Sequence, residues 1–157
     1  MSVRPLSYLG ADPGKNGGVA ILNGEGEIML VTVMPDLPIL CSLITEGYIT
    51  HAFVEQVSVR PGQGISSGFK FGVGYGGILG ALTALGIGCT LLRPQAWQKV
   101  AHVGTSGKDP KDRSNQAAQR LWPRQDWRAS DRCRNNHDGM QEAALIAYAG
   151  IRLGKPA

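Results

Sequence analysis

Cysteine is scarce in this sequence. Cys41, Cys89 and Cys133 stand far apart, odd in number, and no Cys-x-x-Cys pair occurs among the 157 residues. That excludes a disulfide framework, which a chain of this length does not need, since it buries roughly 70% of the surface it exposes on unfolding. A reduced, cytoplasmic setting is expected, and Met1-Ser2-Val3-Arg4-Pro5 lacks the apolar core of a signal peptide. Unbroken hydrophobic stretches are lacking as well. Phe71 to Leu92 carries no charge, yet seven of its residues are glycine and Gly86-Ile87-Gly88 interrupts it. A helix ending near Leu85 and a buried strand from Ile87 to Leu92 are therefore expected, rather than a membrane span. A zinc cage is also missing: Cys133 and His137 have a suitable spacing but no second pair to complete four ligands.

What the chain does contain is a regular alternation of short apolar runs and turn residues. Leu6 to Asp12, Gly17 to Asn23 and Glu27 to Met34 are strand-like, and Asn23-Gly24-Glu25-Gly26 joins the latter two as a hairpin, which makes an antiparallel meander. Pro35 and Pro38 close the third strand, and Ile39 to Glu46 fits a short helix. His51 to Val59 is a fourth strand; with a helix before it, it can lie parallel to the first. Ser66 or Ser67 is a candidate cap for a helix from about Gly68 to Leu85. Within it Gly68, Gly72, Gly76 and Gly80 recur every fourth residue, so another backbone can approach one face, either the sheet beneath or a second subunit. After the fifth strand, Pro94 opens a short helix, Lys111 to Leu121 is another, Trp122 to Asn136 is a polar excursion, and a last helix runs from about His137 to Leu153. A single α/β domain over residues 1–157 accounts for this order.

Acids punctuate these elements at four places. Asp12 ends the first strand, within Gly10-Ala11-Asp12-Pro13-Gly14-Lys15-Asn16-Gly17-Gly18. Taken singly it is either a turn residue bonding its own backbone or a functional carboxylate. A parallel fourth strand puts Glu55, which sits in an otherwise apolar run, at the same sheet end. A buried carboxylate there is costly unless paired or metal-bound; the competing reading is a solvated edge-strand acid or a partner of Arg60. Asp138 and Glu142 are four apart, share one helical face, and repel each other unless a cation lies between them. Alternatively, Asp138 caps its helix with Gln141 three residues on, and Glu142 is a solvated first-turn acid.

The net charge of +4 is unevenly spread: between Arg93 and Asn136 ten Lys/Arg face four acids, while the remainder is slightly acidic. Trp97, Trp122 and Trp127 all fall in that basic segment. Cations interleaved with rings suit a polyanion with stackable bases, and equally a solvated surface anchored by its tryptophans. Phe69, Phe71 and Tyr75, near the start of the glycine-striped helix, read as core packing or as contacts with an unpaired base.

Six fragments carry a resemblance: Gly10 to Gly18 as quoted above; Val54-Glu55-Gln56-Val57; Pro61-Gly62-Gln63-Gly64; Phe69-Lys70-Phe71-Gly72 with Tyr75-Gly76; Pro94-x-x-Trp97; and His137-Asp138-Gly139-x-x-Glu142-Ala143-Ala144-Leu145-Ile146-Ala147. In kind and order they are similar to the RuvC family of Holliday-junction resolvases, particularly its small phage-borne members, over nearly the whole chain. The resemblance implies an RNase H-like fold, a five-stranded mixed sheet in the order 3-2-1-4-5 with strand 2 antiparallel, flanked by helices. It implies a structure-selective endodeoxyribonuclease acting on four-way junctions and other branched DNA. Asp12, Glu55, Asp138 and Glu142 would hold two Mg²⁺ ions about 4 Å apart, one activating a water and the other neutralising the leaving 3′ oxygen. Mn²⁺ is expected to substitute. His137 is a further candidate, for positioning the water or the scissile phosphate. Lys99, Lys108, Lys111 and Arg113 are expected phosphate contacts, with Arg60, Gln63, Phe69 and Lys70 nearer the branch point. Members of the family act as dimers in the cytoplasm of bacteria or of phage-infected hosts, and the glycine-striped helix is a candidate interface.

The chain departs from the family pattern in two places. Many bacterial resolvases carry two aspartates three apart on the last helix, where this chain has Asp138 and Glu142. The aromatic wedge that some relatives place shortly after the strand glutamate is replaced by Ser58 and Val59, with Phe69 as a candidate substitute, so cutting preference does not transfer. Other classes compete. Actin-like sugar kinases share the start and the sheet but need a second lobe that 157 residues do not supply. An RNA-processing nuclease of the same superfamily and a non-catalytic branched-DNA binder are the remaining alternatives; four retained acids argue against the binder.

Overall fold

The computed structural model describes residues 5–154; the chain start discussed above, at 1–4, lies outside them. The first apolar runs form β1 (Ser7–Asp12), β2 (Gly18–Asn23) and β3 (Ile28–Val33). Between β2 and β3 the Asn-Gly hairpin forms as expected, with Asn23 Oδ1 accepting from the amides of Glu25 and Glu27 at 3.1 and 2.9 Å. Helix α1 (Leu37–Glu46) starts on the Asp36 carboxylate, which accepts from the Ile39 amide at 3.1 Å. Pro38 thus falls in its first turn, where a missing N–H costs no helical hydrogen bond. Then follow β4 (His51–Glu55), α2 (Ile65–Ala84), β5 (Gly88–Leu92), α3 (Pro94–Ala101), α4 (Pro110–Leu121) and α5 (Asp138–Arg152).

The strands make one sheet in the order β3-β2-β1-β4-β5, with β2 antiparallel to β1 and β3, and β1, β4 and β5 parallel. This is the mixed α/β arrangement that the resemblance implied. The uncharged run 71–92 divides into the end of α2 and β5, and no helix among the described residues is long and apolar enough to cross a membrane.

Helices cover both faces. Leu40, Ile44, Ile78 and Leu82 of α1 and α2 pack on Leu9, Ala11, Val19, Ile21, Ala52 and Val54. On the other face α3, α4 and α5 cover Tyr8, Ala20, Leu22 and Phe53. Alternation along a strand then decides where the acids emerge. Asp12 follows Tyr8 and Gly10, and Glu55 follows Phe53, so both carboxylates leave the sheet on the α3–α5 side.

Two expectations change and two open alternatives narrow. β4 ends at Glu55, not Val59; the Gln56 amide still bonds the Leu92 carbonyl at 2.8 Å, and the chain then turns away toward Pro61. α2 begins at Ile65 behind Gly64, with no side-chain cap, so neither Ser66 nor Ser67 starts it. Three glycines of the stripe are not seated on the sheet: a methyl on Gly72, Gly76 or Gly80 would meet no atom of the described residues within 4 Å, while Gly68 is buried against Val59 and it is Gly77, off the stripe, that Leu37 approaches. Finally, the tryptophans are anchors. Trp97 and Trp127 are buried, which excludes base stacking by either, and the half-buried Trp122 donates its indole N–H to the Gly26 carbonyl at 2.9 Å.

Candidate active site

Asp12 and Glu55 lie side by side at the ends of β1 and β4, because the parallel register pairs Ala11 with Val54 one residue earlier. Glu142 reaches them from α5, and glycines govern how closely that helix approaches. Gly10 lies directly beneath Ala143 and Ala147, while a Cβ on Gly18 would overlap Gly139 and one on Gly139 would overlap Asn16 and Gly17. A side chain at any of these positions would hold α5 off the sheet and Glu142 away from Asp12. Of the glycines that follow Asp12, Gly17 and Gly18 therefore serve the docking of α5.

Proximity makes the acids hard to ionise together. The Asp12 carboxyl is raised above the usual carboxylate range, by burial first and then by the charges of Glu142 and Glu55; its side chain shares hydrogen bonds with both. Glu142 is raised too, by burial and then by the charges of Glu55 and Asp138. Asp138 stands apart at the rim, its side chain 47% exposed and its Oδ2 on Lys111 Nζ at 2.9 Å. Lys111 is thus the cation that eases the repulsion between the two α5 acids. The cap of α5 is His137 rather than Asp138: its Nδ1 accepts from the Met140 amide at 3.3 Å, which engages His137 in the helix end. One further group touches the cluster, since the Trp97 indole N–H donates to Glu55 Oε1 at 2.9 Å.

Over the acids opens a cleft of about 1300 Å³. Of the candidate DNA contacts, Arg60, Gln63 and Lys111 line it, whereas Lys99, Lys108, Arg113, Phe69 and Lys70 are exposed outside its lining. Arg113 spends its Nε–H on the Gly107 carbonyl at 3.1 Å. Phe71, against Gly14, is the aromatic of α2 that reaches the cleft. Lys15 and Arg93 also line it and were not singled out from the sequence. Their signal was available: each lies just past a strand that ends at the same edge of the sheet as Asp12.

Family models and curated protein sequences give no match to the chain. Solved structures do. RuvC of Thermus thermophilus in complex with a Holliday junction substrate is similar with a TM-score of 0.66 at 13% identity, covering 96% of this chain and 98% of that one. The fold is that of the RuvC resolvases. A second T. thermophilus RuvC structure matches with a TM-score of 0.64, 17% identity, and coverage of 96% and 98%. The yeast mitochondrial Holliday junction resolvase matches at 0.63 and 15%, over 97% of this chain and 80% of its own.

On this RuvC fold the acid cluster is suited to a divalent cation. Among the described residues no group of three or more His, Cys, Asp or Glu is already arranged to hold one; Asp12, Glu55 and Glu142 instead crowd one another, which raises the carboxyls of Asp12 and Glu142. The donor set is nevertheless of the right kind. It consists of carboxylate oxygens, which hard cations such as Mg²⁺ prefer, and its mutual repulsion is what a bound cation relieves.

Proposed function

We propose that this chain is a metal-dependent endodeoxyribonuclease of the RuvC type, which cuts four-way junctions and related branched DNA and works as a single-domain subunit of a homodimer. The observation that carries this reading is the contact of Asp12 with Glu55 and Glu142 inside a cleft walled by Lys15, Arg60, Arg93 and Lys111. The fold supports it, being shared with a protein captured on a Holliday junction. Asp12, Glu55 and Glu142, joined by Asp138 from the rim, would hold two Mg²⁺ ions, or Mn²⁺ in their place. Such ions activate a water for in-line attack on a phosphodiester and neutralise the leaving 3′ oxygen.

The chain's own side chains do the rest. The four cations of the wall draw phosphates down to the acids, so affinity falls steeply with salt. Lys111, held by Asp138 before substrate arrives, passes to a phosphate and releases that carboxylate to the cluster. Gln63 and Phe71 meet bases where the strands part. The dimer reading is supported by the outer face of α2, where Phe69 and Val73 are 72% and 60% exposed beside the open Gly72 and Gly76. The free thiols of Cys41, Cys89 and Cys133 suit a reduced cytoplasm.

The test compares wild type with Asp12→Asn on four-way junctions, linear duplex and hairpin RNA, with Mg²⁺ or EDTA. Loss of one ligand forfeits several kcal/mol of charge stabilisation, so Mg²⁺-dependent junction cutting should fall by at least ~10³-fold. Equal activity of the variant, or no preference for the junction over linear DNA, overturns the proposal. Preferred cutting of the RNA points to an RNA-processing nuclease, and junction binding without cutting to a non-catalytic binder.

A further inference from the structure

Trp97 belongs to the core by every measure except one atom. Its ring is fully buried among Phe53, Ala101, Leu145 and Ile146. A buried indole N–H needs an acceptor. The three tryptophans differ in this: Trp122 donates to a backbone carbonyl, the buried Trp127 N–H has no partner among the described residues, and Trp97 alone donates to a carboxylate, Glu55.

We propose that Trp97 is the positioning residue for Glu55: its N–H clamps Oε1, fixes the plane of the carboxylate, and turns Oε2 toward Asp12 and the metal site. The chemistry of the donor fits this task. An indole N–H is neutral, only ever a donor, and does not titrate in the working range of an enzyme. It orients a carboxylate without cancelling its charge, whereas a lysine or arginine in its place would compete with the cation for the same oxygen. Trp97 is itself held in place. The His102 ring meets it edge-on, centroids 5.5 Å apart, and His102 Nε2 is hydrogen-bonded to Ser114 Oγ at 2.9 Å. Helices α3 and α4, which contribute no acid to the half-buried cluster, thereby set the geometry of one. The inference rests on the metal-nuclease reading above.

The decisive variant is Trp97→Phe, which keeps an aromatic ring in the core and removes the N–H. Binding of Mn²⁺ to the DNA-free protein, followed by calorimetry, should weaken 10- to 100-fold, the usual consequence of losing a hydrogen bond that orients a ligand. Glu55→Gln should weaken it at least as much, and the double variant no further. Leu121→Ala trims the same apolar cluster without touching Glu55; it should lower the melting temperature and leave Mn²⁺ affinity unchanged. A measurement on an intact core reads the contact directly: the Trp97 indole ¹H–¹⁵N resonance should shift on adding Mg²⁺ and in Glu55→Gln, with that of Trp127 unmoved. Wild-type Mn²⁺ affinity in Trp97→Phe, when Glu55→Gln has lost it, overturns the inference and spares the nuclease reading. So does an equal loss in Leu121→Ala, or a Trp97 resonance indifferent to Glu55→Gln. Wild-type Mn²⁺ affinity in Glu55→Gln itself overturns both.

Discussion

Helices α2 and α5 are built from similar residues and meet opposite fates. Both are rich in glycine, alanine and aliphatic side chains, yet ten of the 15 residues of α5 are buried and only three of the 20 in α2. The cause lies in what each crosses. α5 passes over the centre of the sheet, where β1 and β2 present Gly10 and Gly18 beneath it, so its small residues bring backbone against backbone. α2 lies toward α1 and the edge strand β5, seats Ile78 and Leu82, and turns Phe69, Val73 and three glycines outward. Small residues on a helix are therefore not one signal. On α5 the chain's own sheet takes them up, and the product is an acid cluster; on α2 they remain open.

The same substitution on the two helices should break this comparison in opposite directions, and the larger effect belongs to α5. In Gly139→Ala the new methyl overlaps the backbone of Asn16 and Gly17, and neither can move without lifting the turn that carries Asp12. Overpacking of this kind costs about 3 kcal/mol. The midpoint in a thermal melt should drop by roughly 6–12 °C for a chain of this size, and junction cutting should fall with it at temperatures where the variant is still folded. A wild-type melt would mean that α5 is not seated on the Gly17-Gly18 turn.

A divalent ion should distinguish the two faces next. Asp12 and Glu142 hold their protons more tightly in the folded chain than in the unfolded one, so the stability they contribute is complete below the ordinary carboxylate range near pH 4 and is lost as pH rises through their raised values. A Mg²⁺ ion held by the cluster would take the place of those protons. Its stabilising effect should be small at pH 5 and grow toward pH 8, reaching about 1.4 kcal/mol when the ion is at ten times its dissociation constant. Amide exchange should slow in α5 and β1 and stay unchanged in α2. A shift that is the same at both pH values, or protection shared with α2, would place the ion elsewhere.

How much of this was legible beforehand follows from the range of each signal. The three-strand meander and the meeting of Asp12 with Glu55 rest on local patterns, an Asn-Gly hairpin, a helical crossover and strand alternation, and these survive in the fold; the full sheet order came only with the family resemblance. The spacing of Asp138 and Glu142 correctly put them on one helix, but their division into an exposed rim acid paired with Lys111 of α4 and a half-buried one is a tertiary outcome that no spacing encodes. Trp97 lies 42 residues from Glu55, so composition could only count it among the rings of a basic segment. Charge along the chain likewise named cations without telling which face they occupy: Lys99 and Lys108 lie outside the cleft, Lys15 and Arg93 within its wall. At α2 the serines were the stronger local capping signal, and the backbone leaving the 60–64 loop overrode them.

The gentlest change sharpens the comparison most, because it should improve the chain while harming the assembly. A methyl at Gly76 meets nothing within 4 Å, so Gly76→Ala should gain nearly the whole difference in helix propensity, about 1 kcal/mol. At concentrations low enough to keep the subunit alone, the melting midpoint should rise by roughly 2–4 °C. If the open stripe is where two copies meet, the same methyl stands in the path of the partner's backbone, and sedimentation velocity should show the dimer weakened at concentrations where wild type is paired. The two readouts fail independently. A lowered midpoint would mean that the chain itself packs against Gly76, while a raised midpoint with an undisturbed dimer would move the interface off this stripe and leave α2 bare for another reason.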